Sequence, residues 1–140
     1  MTSSENSATL GVVIVDHGSK LPAANRLLED VAVAYRRITG TTIVEPAHME
    51  LAEPTIAQAL SRCIEQGATE VAVALFFLSP GRHSTSDIPR IVEEAAERFP
   101  TVPCYVTEPI GLDRAIIEVM QRRIEEAVRN PRQRITKAGV

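Results

Sequence analysis

The 140 residues contain no tryptophan, and aromatic residues make up only 4% of them. Cysteine is almost as scarce. Cys63 and Cys104 form no close pair and offer no disulfide framework; both fall in apolar patterns and read as core thiols of a reducing cytoplasm. Positive charge is not in excess, since 15 Lys and Arg face 18 Asp and Glu for a formal net charge of -3. That balance gives no general pull toward nucleic acid or an anionic membrane surface, so an anionic ligand would have to be held by local groups. No apolar run approaches the roughly 20 residues that span a bilayer. Met1 to Thr9 is polar, lacks the charged-then-apolar order of a signal peptide, and is expected to be a disordered leader.

What is present is regular. Hydrophobic residues account for 44% and charged ones for 24%, an ordinary balance for one globular domain with a real core. Leu10 to Val15 is a β-branched run, followed at helical spacing by Ala24, Leu27, Leu28, Val31, Tyr35 and Ile38, with Pro22 near the first turn and Gly40 closing the helix. Thr42 to His48 reads as a second strand. Ile56, Ala59, Leu60, Cys63 and Ile64 share one helix face, with Pro54 in a first-turn position and Gly67 as C-terminal cap. Val71 to Phe77 is almost wholly apolar, as befits a central strand covered on both faces. Ile88 to Phe99 gives a third helix and Val102 to Thr107 a fourth strand. Leu112 to Val128 is a fourth helix with Ile116, Met120, Ile124 and Ala127 inward. The order βαβαβαβα predicts an α/β fold: a single doubly wound domain over 10–129, a four-stranded parallel sheet flanked by helices. Residues 130–140 read as a flexible basic tail.

In open parallel sheets, ligands bind beyond the carboxyl ends of the strands. Strand one ends in Asp16-His17-Gly18-Ser19, strand two in His48-Met49-Glu50-Leu51 before Glu53-Pro54, and strand three in Phe77-Leu78-Ser79-Pro80-Gly81-Arg82-His83. All three histidines of the chain thus fall on one rim. Each has a plainer reading too. His17 and Ser19 can serve the start of the first helix, and His83 precedes Ser84 to Asp87, a run rich in N-cap residues. His48 stands open between ligand and space-filler. Glu50 shares its parity and would point the same way if the strand continued. Glu53 is equally a helix-start charge and a ligand contact. Two imidazoles and a carboxylate suit Fe²⁺, Co²⁺, Ni²⁺ or Zn²⁺, and a set with open positions suits an ion that is handed on more than one that is kept.

Val15-Asp-His17-Gly-Ser19, Met49-Glu-Leu-Ala-Glu-Pro-Thr55, Gln66-Gly-Ala68, Phe77 to His83 and Asp87-Ile-Pro89 together resemble the short sirohydrochlorin chelatases, of the class II chelatases that use no ATP. The likeness runs through Glu108 to Gly111. It implies a chelatase-like half domain and insertion of a divalent metal (Fe²⁺, Co²⁺ or Ni²⁺) into sirohydrochlorin, on the routes to sirohaem, cobalamin or related tetrapyrroles. By the same resemblance His17 is the first metal-binding histidine and proton acceptor, His83 the second metal ligand, and Glu50 the acidic residue completing the catalytic set. Glu53 and Leu78, Ser79, Pro80, Gly81, Arg82 and His83 are expected to meet the tetrapyrrole. Plant-type relatives share His48-Met-Glu50, and some carry a C-terminal cysteine cluster for an iron–sulfur centre. Here that cluster is lacking and no cofactor beyond the substrate metal is expected.

Insertion exchanges two pyrrole N–H protons for one ion, and a neutral imidazole can both hold the ion and take a proton. Lys20, Arg82 and Arg90 are candidates for the substrate's carboxylates. A metal or tetrapyrrole carrier would use the same residues, so it stays open at this level. A histidine phosphatase is disfavoured by Asp16, where that pattern places arginine before the histidine, and no Gly-x-Ser-x-Gly elbow supports a hydrolase. A wide, flat macrocycle needs walls on both sides. A homodimer is therefore expected, with Leu21, Met49, Leu51, Phe77 and Leu78 near its contact, and neither nucleic acid nor membrane as partner.

Overall fold

A computed structural model describes residues 7–81 and 86–136. The elements follow in the order β1 (Leu10–Asp16), α1 (Pro22–Thr39), β2 (Ile43–His48), α2 (Ile56–Glu65), β3 (Glu70–Leu75), α3 (Ile88–Ala96), β4 (Cys104–Pro109) and α4 (Arg114–Arg129), with a 3₁₀ turn at Pro131–Gln133. The chain divides into two compact units, Met1–Ile110 and Gly111–Val140.

The first unit holds a four-stranded sheet in the order β2-β1-β3-β4, with every pairing parallel. The alternation of strand and helix patterns dictates that result, because a parallel partner can be reached only through a crossover. β1 lies inside the sheet and buries side chains on both faces. Val13 and Val15 join Val71, Val73 and Leu75 beneath Ile56, Leu60 and Cys63 of α2 and Ile88 and Val92 of α3. Val12, Ile14 and Val44 form a smaller core with Leu28 and Ala32 of α1 on the other face. Each fully buried aliphatic side chain of this kind contributes about 1.5–3 kcal/mol relative to exposure. Gly11 is required by close packing, since a Cβ there would lie 2.9 Å from the Ala68 Cβ and 3.1 Å from that of Cys63. Burial pushes the Cys63 thiol up from 9.0 to about 12, with Glu45 and Cys104 adding to the shift; both cysteines are free.

Helix ends follow local chemistry. Gly40 closes α1 in the left-handed conformation, φ 77°, with its N–H donating to the Arg36 carbonyl. Pro54 departs from its expected first-turn place. α2 starts at Ile56, because Thr55 caps it: the Thr55 hydroxyl accepts from the Gln58 N–H while the Gln58 side chain accepts from the Thr55 N–H, a reciprocal capping box. Pro54 thus precedes the cap.

The second unit departs further. The apolar spacing of α4 predicts Ile116, Met120, Ile124 and Ala127 inward, yet none of its residues is buried, and Met120 and Ile124 are exposed. Among the described residues of that unit the helix packs on the short 3₁₀ turn, and one helix cannot enclose its own stripe. Among the described residues no helix is long and apolar enough to cross a membrane.

Candidate metal-handling site

The chain leaves β1 toward β2 on one side and returns through α2 to β3 on the other, which makes the carboxyl ends of β1 and β3 the crevice of the sheet. His17 is the first residue past β1 and is exposed there. Its ring packs on Phe77, with centroids 4.4 Å apart and planes inclined by 38°. Phe77 is itself buried, and the Phe76 N–H donates to the Val15 carbonyl at 2.8 Å, so the backbone after β3 holds the surface against which the imidazole rests. Asp16, His17, Ser19, Asn25, Phe76 and Phe77 line an open hollow of about 320 Å³. Hollows of about 470 and 450 Å³ lie at the end of α4 and between α3 and β4, and hold no histidine.

Glu50 comes to the backbone of His17 from β2. The ladder between β1 and β2 outlasts the strands: the Met49 N–H donates to the Asp16 carbonyl at 2.8 Å, and the Glu50 N–H to the His17 carbonyl at 3.0 Å. Two candidate functional residues are thereby joined backbone to backbone. Gly18 makes this approach possible. Its φ is 90°, and a Cβ on it would stand 1.9 Å from the Glu50 carbonyl oxygen. Leu51 follows at φ 71°, a left-handed value that is strained for a γ-branched residue.

His48 and Glu50 differ in their surroundings. β2 ends at His48, the chain bends at Met49 and Glu50, and Glu50 is exposed while His48 is 1% exposed. The His48 Nδ1 lies 2.6 Å from Asp16 Oδ1, so the enclosed ring is turned to a carboxylate that itself lines the hollow. The same-side expectation held only for a strand that continued to Glu50, and β2 ends before it.

The loop after His17 is held by Asn25, a contact that sequence reading missed. The Asn25 Oδ1 accepts from the Ser19 N–H at 3.0 Å, and its Nδ2 donates to the Ser19 carbonyl at 2.7 Å. Ser19 in turn accepts from the Leu21 N–H. Glu53 is exposed, and its Oε2 accepts from the Gln58 side chain at 3.2 Å. Leu78, Ser79, Pro80 and Gly81 are exposed beyond β3. Arg82 and His83 lie outside the described residues. Lys20 is exposed near His17, whereas Arg90 lies against Glu94 at 3.5 Å and Asp87 at 3.9 Å. Among the described residues no three His, Cys, Asp or Glu side chains converge at metal-binding range.

A family model described as CbiX matches residues 11–127. The chain belongs to the CbiX family. The match takes in the whole sheet of the first unit, so His17, Glu50 and His83 all fall within the CbiX region. The chain is 44% identical over 118 residues to the chloroplastic sirohydrochlorin ferrochelatase of Arabidopsis thaliana, an alignment covering 84% of this chain and 52% of that one. It is 32% identical over 126 residues to the sirohydrochlorin cobaltochelatase of Methanosarcina barkeri, covering 85% and 97%. Among solved structures, SirB from Bacillus subtilis with Fe³⁺ matches with a TM-score of 0.80 at 28% identity, covering 88% of this chain and 48% of SirB. This CbiX chain thus spans about half the length of the Arabidopsis and Bacillus proteins.

Proposed function

We propose that the chain is a chelatase that inserts a divalent metal, Fe²⁺ or Co²⁺ with Ni²⁺ as a further candidate, into sirohydrochlorin without ATP. The observation that carries this reading is that His17 and Glu50 are joined backbone to backbone beyond the carboxyl ends of β1 and β2, through the Glu50 N–H to His17 carbonyl bond. The names of the Arabidopsis and Methanosarcina relatives support the substrate and the two leading metals.

On this reading the ion is a substrate. His17, packed at a tilt on Phe77, is a metal donor and proton acceptor, Glu50 is a carboxylate facing solvent, and His83 completes the set. Imidazole and carboxylate donors grip first-row ions without the closed shell of a structural site. Glu53 and the Leu78–His83 loop meet the macrocycle, with Lys20 and Arg82 for its carboxylates. Free Cys63 and Cys104 fit a reducing compartment such as the cytoplasm. A homodimer supplies the second wall of the cleft.

The test is anaerobic insertion with Fe²⁺, Co²⁺ and Ni²⁺ in parallel against the uncatalysed background. His17→Ala and Glu50→Gln are each expected to lower the rate by about 10² or more, the range for a lost general base. Both sit on the exposed rim, so their melting temperatures should stay close to that of the parent. Binding of metal and tetrapyrrole without acceleration by the parent chain would make it a carrier.

A further inference from the structure

The proposed chemistry leaves one buried polar pair without a task. His48 is almost fully enclosed, and its Nδ1–H donates to Asp16 Oδ1 at 2.6 Å; Asp16 itself keeps about a quarter of its side chain exposed, at 23%. A buried imidazole is costly unless it is hydrogen-bonded. An aliphatic residue at the end of β2 would fill space at lower cost, as Val13, Val15 and Ala47 do nearby.

The position of the pair suggests its use. Asp16 and His48 are register partners at the last rung of the β1–β2 ladder. His17 directly follows Asp16, and Glu50 stands two residues after His48. The two backbone bonds beyond the pair, Met49 to Asp16 and Glu50 to His17, lie one step further out. On the other side, the His48 N–H donates to the Pro54 carbonyl at 2.8 Å. The His48 Cβ would come within 3.1 Å of a Cβ on Gly18. The His48 side chain, at the end of the segment that leads to Glu50, is therefore tied by one hydrogen bond to Asp16, the residue before His17.

We infer that Asp16 and His48 are positioning residues, whose part-buried hydrogen bond locks the ends of β1 and β2 so that His17 and Glu50 stand at a fixed separation before the metal arrives. The inference rests on the roles proposed above for His17 and Glu50. Side-chain pairs one layer behind metal ligands commonly change metal affinity by about 10- to 100-fold when removed.

Co²⁺ serves as the probe, because its binding is read by titration and its visible absorption reports the donors around it. Asp16→Ala alone would orphan a buried imidazole and could unfold the chain. The decisive variant is therefore the double change Asp16→Ala with His48→Leu, which removes both partners together and leaves no unpaired polar group. It is expected to fold, to bind Co²⁺ about 10- to 100-fold more weakly with an altered visible spectrum, and to lower kcat while leaving KM for the tetrapyrrole near its parent value. Asp16→Asn keeps an acceptor oxygen for the His48 Nδ1–H and should restore Co²⁺ affinity to within about threefold of the parent, since one hydrogen bond is conserved. Parental affinity, spectrum and rate in the double variant would overturn the inference. So would an Asp16→Asn chain as weak as the double variant, because charge and not the hydrogen bond would then be what matters. If the parent chain binds Co²⁺ in a pair-dependent way yet accelerates no insertion, the proposed reaction fails and the positioning role stands.

Discussion

At Gly18 two independent requirements coincide. The backbone is left-handed at φ 90°, and the Glu50 carbonyl occupies the space a side chain would take, at 1.9 Å from an ideal Cβ. A side chain here would meet both at once, and its overlap with the backbone could be relieved only by moving the β1 and β2 ends apart. Gly18→Ala is expected to cost about 1–3 kcal/mol from backbone strain and to lower insertion by about 10², since displacements near 1 Å at a reacting site have effects of that order. Melting curves and insertion rates on the same preparation check it; a fully active, equally stable variant would show that the rim tolerates the displacement. Much of this residue scale is legible in sequence. His17 and Glu50 follow strand ends, and the rule for open sheets places them on the rim. His48 is not legible, because its fate depends on which residue of β1 it faces, and register is a long-range property. The Asn25 clamp on Ser19 is hidden for the same reason: an asparagine in the first turns of a helix gives no sign of what its amide grips.

At the scale of the element, α2 shows how a local signal reaches the site. Thr55 and Gln58 form the capping box that starts the helix, and the Gln58 amide also donates to Glu53. The Thr55-x-x-Gln58 spacing is a start signal readable in the sequence, and attention to Pro54 alone misplaces the start by two residues. Other boundaries shift by up to three residues, as at the end of α3, because apolar periodicity marks where an element packs and not where its last hydrogen bond falls. Thr55→Ala is expected to remove about 1 kcal/mol, a fall of roughly 3–5 °C in melting temperature for a chain of this size. Gln58→Ala, which removes the donor to Glu53, should in addition free that carboxylate, so KM for the tetrapyrrole should rise while Co²⁺ affinity stays unchanged. A stability loss with KM unaltered would mean that Glu53 does not meet the macrocycle.

For the whole molecule, the alternation of patterns is enough to yield a parallel sheet with helices on both faces, and the sheet has that form. The amphipathic stripe of α4 states only that the helix wants a partner, and the second unit offers it no interior. The rim raises the same question more sharply. Leu21, Leu51 and Leu78 are exposed by 60–68%, around the residues proposed to handle the metal. Two other expected contact residues have different surroundings: Phe77 is buried beneath His17, and Met49 is half-buried against the sheet core. The apolar rim is therefore narrower than the sequence suggests, yet three exposed leucines beside a crevice still invite cover. A tetrapyrrole is a flat disc, and a site that grips it buries most of its surface; the hollow beside His17, at about 320 Å³ and open to solvent, presents one wall. Two copies about a twofold axis would set rim against rim and provide the other. Light scattering at micromolar protein should give twice the chain mass of 15.3 kDa. Leu21→Glu with Leu51→Glu should shift the population to monomer and lower insertion, while leaving the circular dichroism of the fold intact. Activity that survives in the monomer would show that one rim is wall enough.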